Sequence, residues 1–252
     1  MAYAVVTRDA DGAAPYAAAL APLGLEVVPM PVTRTAPPAD PGALSRALGR
    51  GGHAAIVCAS ARAAAALAAA ASEISAALPE VWAVGPATAR ALAAARIRAI
   101  VPDGVRDGAS LARALVAARP LAGARVLVPR AEEGREEAIA CLRAAGAEVE
   151  DVIVYRTVAA PADDPALAEG RALLAAGQAA VCVVLAPSQV GALGALGALG
   201  ALGGLPPVPF AAIGETTAAA LRAAGVGTVA VAETPTPAGI ASAVRSVYPG
   251  PP

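Results

Sequence analysis

Lysine is absent from the 252 residues, and histidine, phenylalanine and tryptophan each occur once. All 19 basic residues are therefore arginines, and 20 acidic residues balance them to a net charge of -1. Nucleic-acid-binding proteins typically combine a basic surface with aromatic side chains that stack on bases, whereas aromatics make up only 2% of this chain. We expect no nucleic-acid partner.

Histidine and cysteine offer little for catalysis or metal binding. A histidine base, a Ser-His-Asp arrangement or a histidine-rich metal site would all depend on His53. His53 follows two glycines just before an apolar run, where an ordinary loop or strand-end residue is the simpler interpretation. Three widely spaced cysteines in apolar surroundings favour reduced core thiols over disulfides or a metal site: Cys58, Cys141 and Cys182.

Glycine-rich nucleotide motifs are missing as well. The turn after the apolar run Arg125 to Val128 carries only Gly134, and no other such run is followed by a Walker or dinucleotide fingerprint. We therefore expect no nucleotide, no other cofactor and no metal.

Long hydrophobic runs are also scarce, although 57% of the residues are hydrophobic. The longest clean run, 179–204, contains six glycines and one proline, which suit a membrane-spanning helix poorly. Its Gly-Ala-Leu repeat over 191–204 receives no functional assignment. The first residues lack the basic, apolar and small-residue regions of a signal peptide. We expect a cytoplasmic protein without membrane contact.

Short Val-rich runs alternate with Ala/Leu/Arg stretches of helical length, which predicts doubly wound parallel α/β architecture. The predicted strands are Ala4 to Thr7, Ala55 to Cys58, Val81 to Val84, Arg125 to Val128, Val181 to Leu185 and Ala211 to Ile213. The predicted helices are Tyr16 to Leu23, Arg62 to Ala71, Thr88 to Ala95, Ser110 to Ala118, Arg135 to Ala145, Thr217 to Ala224 and Pro237 to Val247.

An internal repeat predicts two similar α/β halves. Residues Val5 to Thr35 match Leu127 to Thr157 at a constant displacement of 122 positions, so that Gly24 corresponds to Gly146. The similarity resumes between the turn at Gly85 and the turn at Gly214. The ends of the repeated segments, 27–35 and 149–158, are β-branched and precede Pro-rich stretches, so they could pair as a ribbon between domains.

Small hydroxyl residues and glycines recur where a predicted strand gives way to a helix. They are Ser60, the turn Gly85 to Thr88, Ser188 and the turn Gly214 to Thr217. In parallel α/β sheets these turns face the ligand crevice, and the helix starts behind them present free N–H groups suited to anions. Helix capping explains any one of them equally well, but four together favour a binding site for a polyanion.

Tyr155 lies on the second extended segment, in the sequence Val-Ile-Val-Tyr-Arg-Thr. A lone tyrosine in a strand usually serves packing. Its counterpart in the first half is Thr33, so the repeat does not require a phenol there. Packing and function both remain open for Tyr155.

Several stretches, taken in their order and spacing, resemble the uroporphyrinogen-III synthase family. They are TRDADGAAPYAAALAPLGLEVVPMPV, VCASARAAAAL, VGPATARAL, VLVPRAEEGREEAIACLRAAGAEVEDVIVYRT, VVLAPSQVGAL, FAAIGETTAAALRAAGV and ETPTPAGIASAV. The resemblance implies two α/β domains and a two-stranded linker, with the active site in the cleft between the domains. Domain 1 would comprise 1–31 and 160–252, domain 2 would comprise 37–150, and the linker strands would be 32–36 and 151–159.

The same resemblance implies roles for individual residues. Tyr155 matches the family's tyrosine, and Thr217, Thr88 and Ser60 match its hydroxyl residues. The weaker transfers are Arg8, Arg62 and Arg130; Ser188, Gly85 and Gly214 complete the expected substrate contacts. The chain departs from the family pattern at Leu185-Ala186-Pro187, where Thr-Ser-Pro is frequent, and at Glu215, where Pro is usual.

The activity implied by the resemblance is that of a cyclising hydro-lyase. It would close the linear tetrapyrrole hydroxymethylbilane to uroporphyrinogen III with inversion of the terminal ring, with Tyr155 as an assisting acid. We expect a monomer that could receive its unstable substrate from hydroxymethylbilane synthase. Two other functions stay open: a two-domain small-molecule-binding module of the periplasmic-binding type, and a regulatory domain without catalysis.

Overall fold

A computed structural model describes residues 2–74, 77–198 and 208–248. Contacts divide the chain into two units, which we call unit 1 (1–34 and 158–252) and unit 2 (35–157). The last part of the Gly-Ala-Leu repeat, 199–204, lies outside the described residues. No helix among the residues described is long and apolar enough to cross a membrane.

Unit 1 contains a five-stranded sheet in the order β11-β10-β9-β1-β2, in which all four strand pairs are parallel. Its strands are β1 (Ala2–Val6), β2 (Leu25–Pro29), β9 (Ala179–Val184), β10 (Phe210–Ala212) and β11 (Val229–Val231). Its helices are α1 (Ala10–Leu20), α7 (Ala168–Ala175), α8 (Pro187–Ala198), α9 (Glu215–Ala223) and α10 (Pro237–Val247), with 3-10 turns at Ala21–Leu23 and Pro165–Leu167.

Unit 2 contains most of a six-stranded sheet in the order β3-β8-β7-β4-β5-β6. Its strands are β3 (Thr33–Ala36), β4 (His53–Cys58), β5 (Glu80–Ala83), β6 (Ala99–Ile100), β7 (Arg125–Ala131) and β8 (Glu148–Ala159). Its helices are α2 (Ala43–Arg50), α3 (Ala61–Ser72), α4 (Pro86–Ala93), α5 (Gly108–Ala118) and α6 (Glu137–Ala144). Strands β8 to β6 pair in parallel.

Each sheet has hydrophobic cores on both faces, because successive strand side chains point to opposite sides. In β1, Val5 packs on one face with helices α7, α8 and α9, whereas Ala4 and Val6 pack on the other with α1 and α10. In β4, Ile56 packs in the hydrophobic cluster on one face of the sheet, and Ala55 packs in the cluster on the other face. The predicted doubly wound parallel α/β fold is confirmed.

The repeat appears in the strand register. Tyr3 pairs with Glu26 in unit 1, and Arg125 pairs with Glu148 in unit 2. Each residue of the second pair lies 122 positions after its counterpart in the first pair. Gly24 and Gly146 both have positive φ, 71° and 83°, and each reverses the chain between a helix and the following strand.

Proline explains why the two copies then diverge. The second strand of the repeat ends at Pro29 in unit 1, and Pro31 follows, whereas its counterpart β8 continues from Glu148 to Ala159 with no proline. A proline supplies no N–H for a strand ladder. The first copy therefore breaks, and the chain resumes as β3 beside β8.

Several sequence-based boundaries were wrong. Helix α1 begins at Ala10 rather than Tyr16, because Asp9 accepts a bond from Gly12 N at 2.8 Å and starts the helix ahead of Pro15. The extended segment 27–35 is broken between β2 and β3. Elements with weak patterns were not predicted, namely α2, α7, α8, β6 and β11.

The three cysteines are unpaired, and Cys58 and Cys182 are buried in the sheets. Burial raises the pKa of both thiols to about 12. These two side chains therefore behave as small apolar core residues, as the sequence predicted.

Candidate functional site

The carboxyl ends of the parallel strands of unit 2 gather four of the predicted site residues along one edge of the sheet. In the order β8, β7, β4 and β5, these are Tyr155, Arg130, Ser60 and Gly85. Residues that are 25 to 95 positions apart in the sequence thus lie at the ends of neighbouring strands. This edge is where ligands bind in open parallel sheets.

A pocket of about 350 Å³ opens at this edge. It is lined by Ala59, Ser60, Arg106, Asp107, Gly108, Ala109, Val128, Pro129, Arg130, Ala131, Gly134, Arg135, Glu137, Ala138 and Tyr155. This volume lies within the usual range of small-molecule binding pockets. Three arginines and one phenol are among its polar lining groups.

Tyr155 is fixed through its backbone and leaves its phenol half-exposed. It pairs with Ala131 across β7 and β8, and its carbonyl accepts a bond from Glu132 N at 3.0 Å. The guanidinium carbon of Arg62, at the start of α3, lies 5.9 Å from the centre of the phenol ring. A cation over the ring is favourable and restrains the ring orientation. The structure thus brings Arg62 to Tyr155.

Arg130 is engaged with protein atoms. Its Nε and Nη2 both donate to the Asp151 carboxylate at 2.7 Å, and its Nη1 donates to Ala131 O and Glu132 O at 2.9 and 3.0 Å. The hydrogen bond with Asp151 raises the pKa of Arg130 above its ordinary value. This bidentate pair stabilises the turn after β7, which forms one wall of the pocket.

Ser60 acts as the N-cap of α3. Its Oγ accepts a bond from Ala63 N at 3.1 Å. The capping interpretation is therefore correct for this serine. Its hydroxyl proton stays available to a ligand in the adjoining pocket.

The two Gly turns have the same backbone geometry in the two units. Gly85 has φ 174° and ψ -178°, and Gly214 has φ 177° and ψ 174°. Each precedes a helix, α4 or α9, with no side-chain cap, and no atom lies within 4 Å of the position a Cβ would take. Neither helix start is therefore capped by a side chain, but α4 begins with Pro86, which has no N–H, whereas α9 begins with Glu215, which has one.

Thr88 and Thr217 stand at the third position of these helices and are almost fully buried, with 3% and 2% exposure. Neither hydroxyl donates or accepts a hydrogen bond with another described residue. The capping role considered for Thr217 is wrong, because Gly214 occupies the N-cap position. A hydroxyl at a helix start that has no bond to a described residue is suited to a ligand.

At the corresponding edge of unit 1, Arg8 follows β1 and Ser188 lies in the first turn of α8. Arg8 is exposed, and Ser188 is half-buried. Between them, the buried side chains of Thr7 and Gln189 bond to each other at 2.7 Å. The structure thus brings Arg8, Ser188 and Gly214 to the carboxyl ends of three neighbouring strands, β1, β9 and β10.

Glu215 carries the acidic charge at the start of α9. Its carboxylate forms an ion pair with Arg222, two helical turns further along. Both side chains are exposed, so the pair is weak. The pair with Arg222 draws the carboxylate along the helix, and the N–H groups of Glu215 and Thr216 have no bond to a described residue, whereas Thr217 N donates to Gly214 O at 3.1 Å.

Several polar residues at these edges were not predicted. Asp107 caps α5 by accepting a bond from Ser110 N at 2.7 Å, and that bond from the Ser110 backbone lowers the pKa of Asp107. The Asp-x-x-Ser spacing before a helix could have indicated this cap. Arg106 and Arg135 gave no local signal, because only the strand order brings them to the pocket.

His53 lies at the opposite, amino-terminal edge of unit 2, as the first residue of β4. Its Nε2 bonds to Glu150 Oε2 at 2.8 Å, and Arg125 Nη2 donates to the same oxygen at 2.7 Å. Arg50 also pairs with Glu150. The interpretation of His53 as a strand-end residue is consistent with this position away from the pocket.

Two parallel α/β units with hydroxyl-bearing turns at the carboxyl edges of their sheets define the class of open α/β proteins that bind small molecules at this edge. The model of the family described as uroporphyrinogen-III synthase HemD matches residues 14–242. The chain belongs to this family and is therefore an enzyme of the cyclising kind.

Solved structures support the fold. Uroporphyrinogen-III synthetase from Helicobacter pylori 26695 is 17% identical, with a TM-score of 0.60 over 98% of this chain and 100% of that chain. A mutant uroporphyrinogen III synthase from the extremely thermophilic bacterium Thermus thermophilus is 21% identical, with a TM-score of 0.55 over 98% of both chains. No curated protein sequence matches the chain.

Proposed function

We propose that this chain closes hydroxymethylbilane to uroporphyrinogen III, with inversion of the terminal pyrrole ring and release of one water, and is thus a hydro-lyase. The family match over 14–242 is the observation that carries the proposal. It does not favour the alternative of a binding protein without catalysis.

Substrate binding would depend on the helix starts. The eight carboxylates of the substrate would accept bonds from the first N–H groups of α4 and α9, assisted by the hydroxyls of Thr88, Thr217, Ser60 and Ser188. Each such contact contributes about 0.3–1 kcal/mol when exposed. Arg8, Arg62 and Arg130 would add charge, and the pair with Asp151 would hold Arg130 at the pocket wall.

Tyr155 would assist departure of the substrate hydroxyl. Its phenol would donate a proton as the C–O bond breaks, so that water leaves and an azafulvene forms. The azafulvene would then be attacked by the substituted carbon of the terminal ring, and the spiro intermediate would fragment and reclose with that ring reversed. The proton lost when the ring regains aromaticity would restore the phenol.

Orientation would supply most of the rate enhancement. Holding reacting groups in place contributes roughly 7–11 kcal/mol, whereas a general acid contributes about 10²- to 10⁴-fold. The substrate pyrroles supply the electrons, so the protein's main task would be to hold one conformation of a flexible polyanion. Helix-start N–H groups and hydroxyls next to rigid strand ends suit that task.

The cellular setting is part of the proposal. Three unpaired cysteines suit a reducing compartment, and we propose a cytoplasmic location. We also propose a monomer that receives its unstable substrate from hydroxymethylbilane synthase.

The decisive experiment is isomer analysis. Purified protein is mixed with freshly prepared hydroxymethylbilane, and the products are oxidised and separated into type I and type III uroporphyrins. We expect type III with the protein and type I in a protein-free control. Type I alone in both samples would refute the synthase activity.

A matched variant tests the site. Thr217→Val keeps the shape of a buried side chain whose hydroxyl has no bond to a described residue. We therefore expect unchanged thermal stability and a KM raised about threefold to tenfold, the effect of losing one hydrogen bond. Thr216→Val at the exposed neighbouring position is the control. Wild-type KM in Thr217→Val would remove this hydroxyl from substrate binding.

A further inference from the structure

A buried amide connects three elements at the carboxyl edge of unit 1. Gln189 Oε1 accepts bonds from Thr7 Oγ1 at 2.7 Å and from Leu185 N at 2.8 Å, and Gln189 Nε2 donates to Thr7 O at 2.7 Å. Thr7 Oγ1 also lies 3.0 Å from Val183 O. The end of β1, the end of β9 and the start of α8 are therefore joined through one side chain.

This network is deeply buried, since Gln189 is 3% exposed and Thr7 is 1% exposed. Buried polar groups are costly unless they are hydrogen-bonded, and here both ends of the Gln189 amide have partners. A glutamine at this position cannot rotate freely without leaving Thr7 O or Leu185 N unpaired. The amide consequently fixes the backbone around it more firmly than an apolar side chain would.

The start of α8 has no hydroxyl residue before it, because Leu185 and Ala186 precede Pro187. Gln189, at the third helical position, instead reaches back to Leu185 N. This is the half of a capping box in which a side chain of the first turn bonds to a backbone N–H ahead of the helix. Gln189 thus sets the turn between β9 and α8 in place of a serine or threonine cap.

Two residues of the proposed binding edge are the direct chain neighbours of this network. Arg8 follows Thr7, and Ser188 precedes Gln189. We infer that Gln189 is a positioning residue, which holds Arg8 and Ser188 in register for substrate carboxylates through its bonds to Thr7 and Leu185. The inference rests on the proposed function, and Gln189 itself is too deeply buried to serve as a substrate contact.

The first test compares variants of the two network partners. Gln189→Met removes all three amide bonds at similar volume, Thr7→Val removes one, and Thr7→Ser keeps the hydroxyl. With hydroxymethylbilane as substrate, we expect KM to rise roughly tenfold in Gln189→Met and less in Thr7→Val, with kcat within about twofold. Thr7→Ser should lie closest to the wild type. If Gln189→Met does not fold, the two Thr7 variants carry the same test.

A structural role alone predicts a different outcome. Val244→Ala removes buried volume from α10 in the same unit, away from this edge, and serves as a control of reduced thermal stability. At a temperature where all variants are folded by circular dichroism, Val244→Ala should keep the wild-type KM. An unchanged KM in both Gln189→Met and Thr7→Val would overturn the inference.

A double-mutant cycle shows whether Gln189 acts through the two neighbours. In an Arg8→Gln/Ser188→Ala background, addition of Gln189→Met should change KM by less than about twofold, because the positioned groups are already absent. A full tenfold effect in that background would contradict the inference. If KM is raised in Arg8→Gln/Ser188→Ala but stays at the wild-type value in Gln189→Met, only the role of Gln189 is refuted. If the wild-type protein fails to form the type III product, the proposed function itself is refuted.

Discussion

The turn at Gly85 in unit 2 and the turn at Gly214 in unit 1 share backbone geometry but differ in their next residue. Pro86 follows Gly85, whereas Glu215 follows Gly214. Proline has no N–H to offer, while glutamate offers an N–H together with a carboxylate that Arg222 holds along the helix. With the same backbone geometry, the Gly85 turn thus has one backbone N–H donor fewer, whereas the Gly214 turn keeps that donor and adds a negative charge.

The two units also differ in the ionisable residues that stand at corresponding positions of the repeat. Unit 2 has Tyr155, where the repeat places Thr33, and it has Glu150 with its basic partners, where the repeat places Val28. Repetition therefore accounts for the frame of both units, whereas the proposed acid Tyr155 and the partly buried ion-pair cluster around Glu150 occur in unit 2 alone. The four predictions below test that division.

The largest effect should come from Tyr155→Phe. Loss of the proposed acid should slow type III formation about 100-fold without abolishing it, because orientation is retained. Steady-state kinetics with isomer separation measures the effect, and Tyr16→Phe on α1 of unit 1 is the control. A wild-type rate in Tyr155→Phe would remove this phenol from the mechanism.

The second effect concerns stability. Burial raises the pKa of Glu150, but hydrogen bonds from His53, Arg50 and Arg125 lower it further, so its pKa lies below the ordinary value of 4.5. The pairing therefore stabilises the fold above about pH 4.5, and the contribution is lost as pH falls through the lower folded-state pKa. At pH 7, Glu150→Gln should cost about 2 kcal/mol.

Chemical denaturation between pH 3 and pH 7 checks this. The difference in unfolding free energy between wild type and Glu150→Gln should shrink toward the acid end. Glu148→Gln, an exposed carboxylate on the same strand, is the control and should differ little from the wild type. A pH-independent difference would indicate that the carboxylate charge is not responsible.

The third effect compares the Gly turns directly. Alanine at position 85 or 214 would occupy the open space next to the helix start without contacting protein atoms. We expect KM to rise about threefold to fivefold, while stability stays the same or increases by about 0.4–1 kcal/mol. Gly49→Ala in α2 also meets open space and should raise stability without changing KM. Loss of stability in either turn variant would show that the glycine serves folding instead.

The smallest effect should come from Glu215→Gln. Removing an exposed charge near the unit 1 turn should lower KM about twofold, because the pair with Arg222 already draws the carboxylate away. The matched control is Glu169→Gln, which removes the acidic residue from the first turn of α7 in the same unit. An increase in KM would mean that the Glu215 carboxylate assists substrate binding. The extra charge at this turn, which is absent at the Pro86 turn, would then favour binding instead of opposing it.

Local sequence patterns were sufficient for much of the fold. Alternating Val-rich and Ala-rich segments predicted parallel strands and helices, and the boundaries of α10 were predicted correctly because Thr236 and Pro237 mark its start. Helix α1 begins earlier than the predicted Tyr16, because Asp9 caps it ahead of Ala10. Short edge strands such as β6 carry too few residues for a periodic pattern.

Some residues of the candidate site could be predicted from local sequence patterns, and the contacts of others could not. Hydroxyls and glycines at strand-to-helix turns have a local signature, so Ser60, Thr88 and Thr217 could be proposed from the sequence. The protein bonds of Arg130, in contrast, depend on Asp151, which lies 21 residues away and on the next strand. The sequence had suggested Arg130 as a substrate contact, and that assignment stays a prediction.

By itself, the sequence determined the repeat, the α/β class and the residues that could meet an anion at helix starts, because these follow from local periodicity, turn geometry and side-chain chemistry. The tertiary structure alone decided which polar groups are already satisfied. Thr7 and Gln189 are 182 positions apart, and His53 and Glu150 are 97 apart. Such pairs form only because the strand order brings distant segments side by side, where a buried polar group must find a partner.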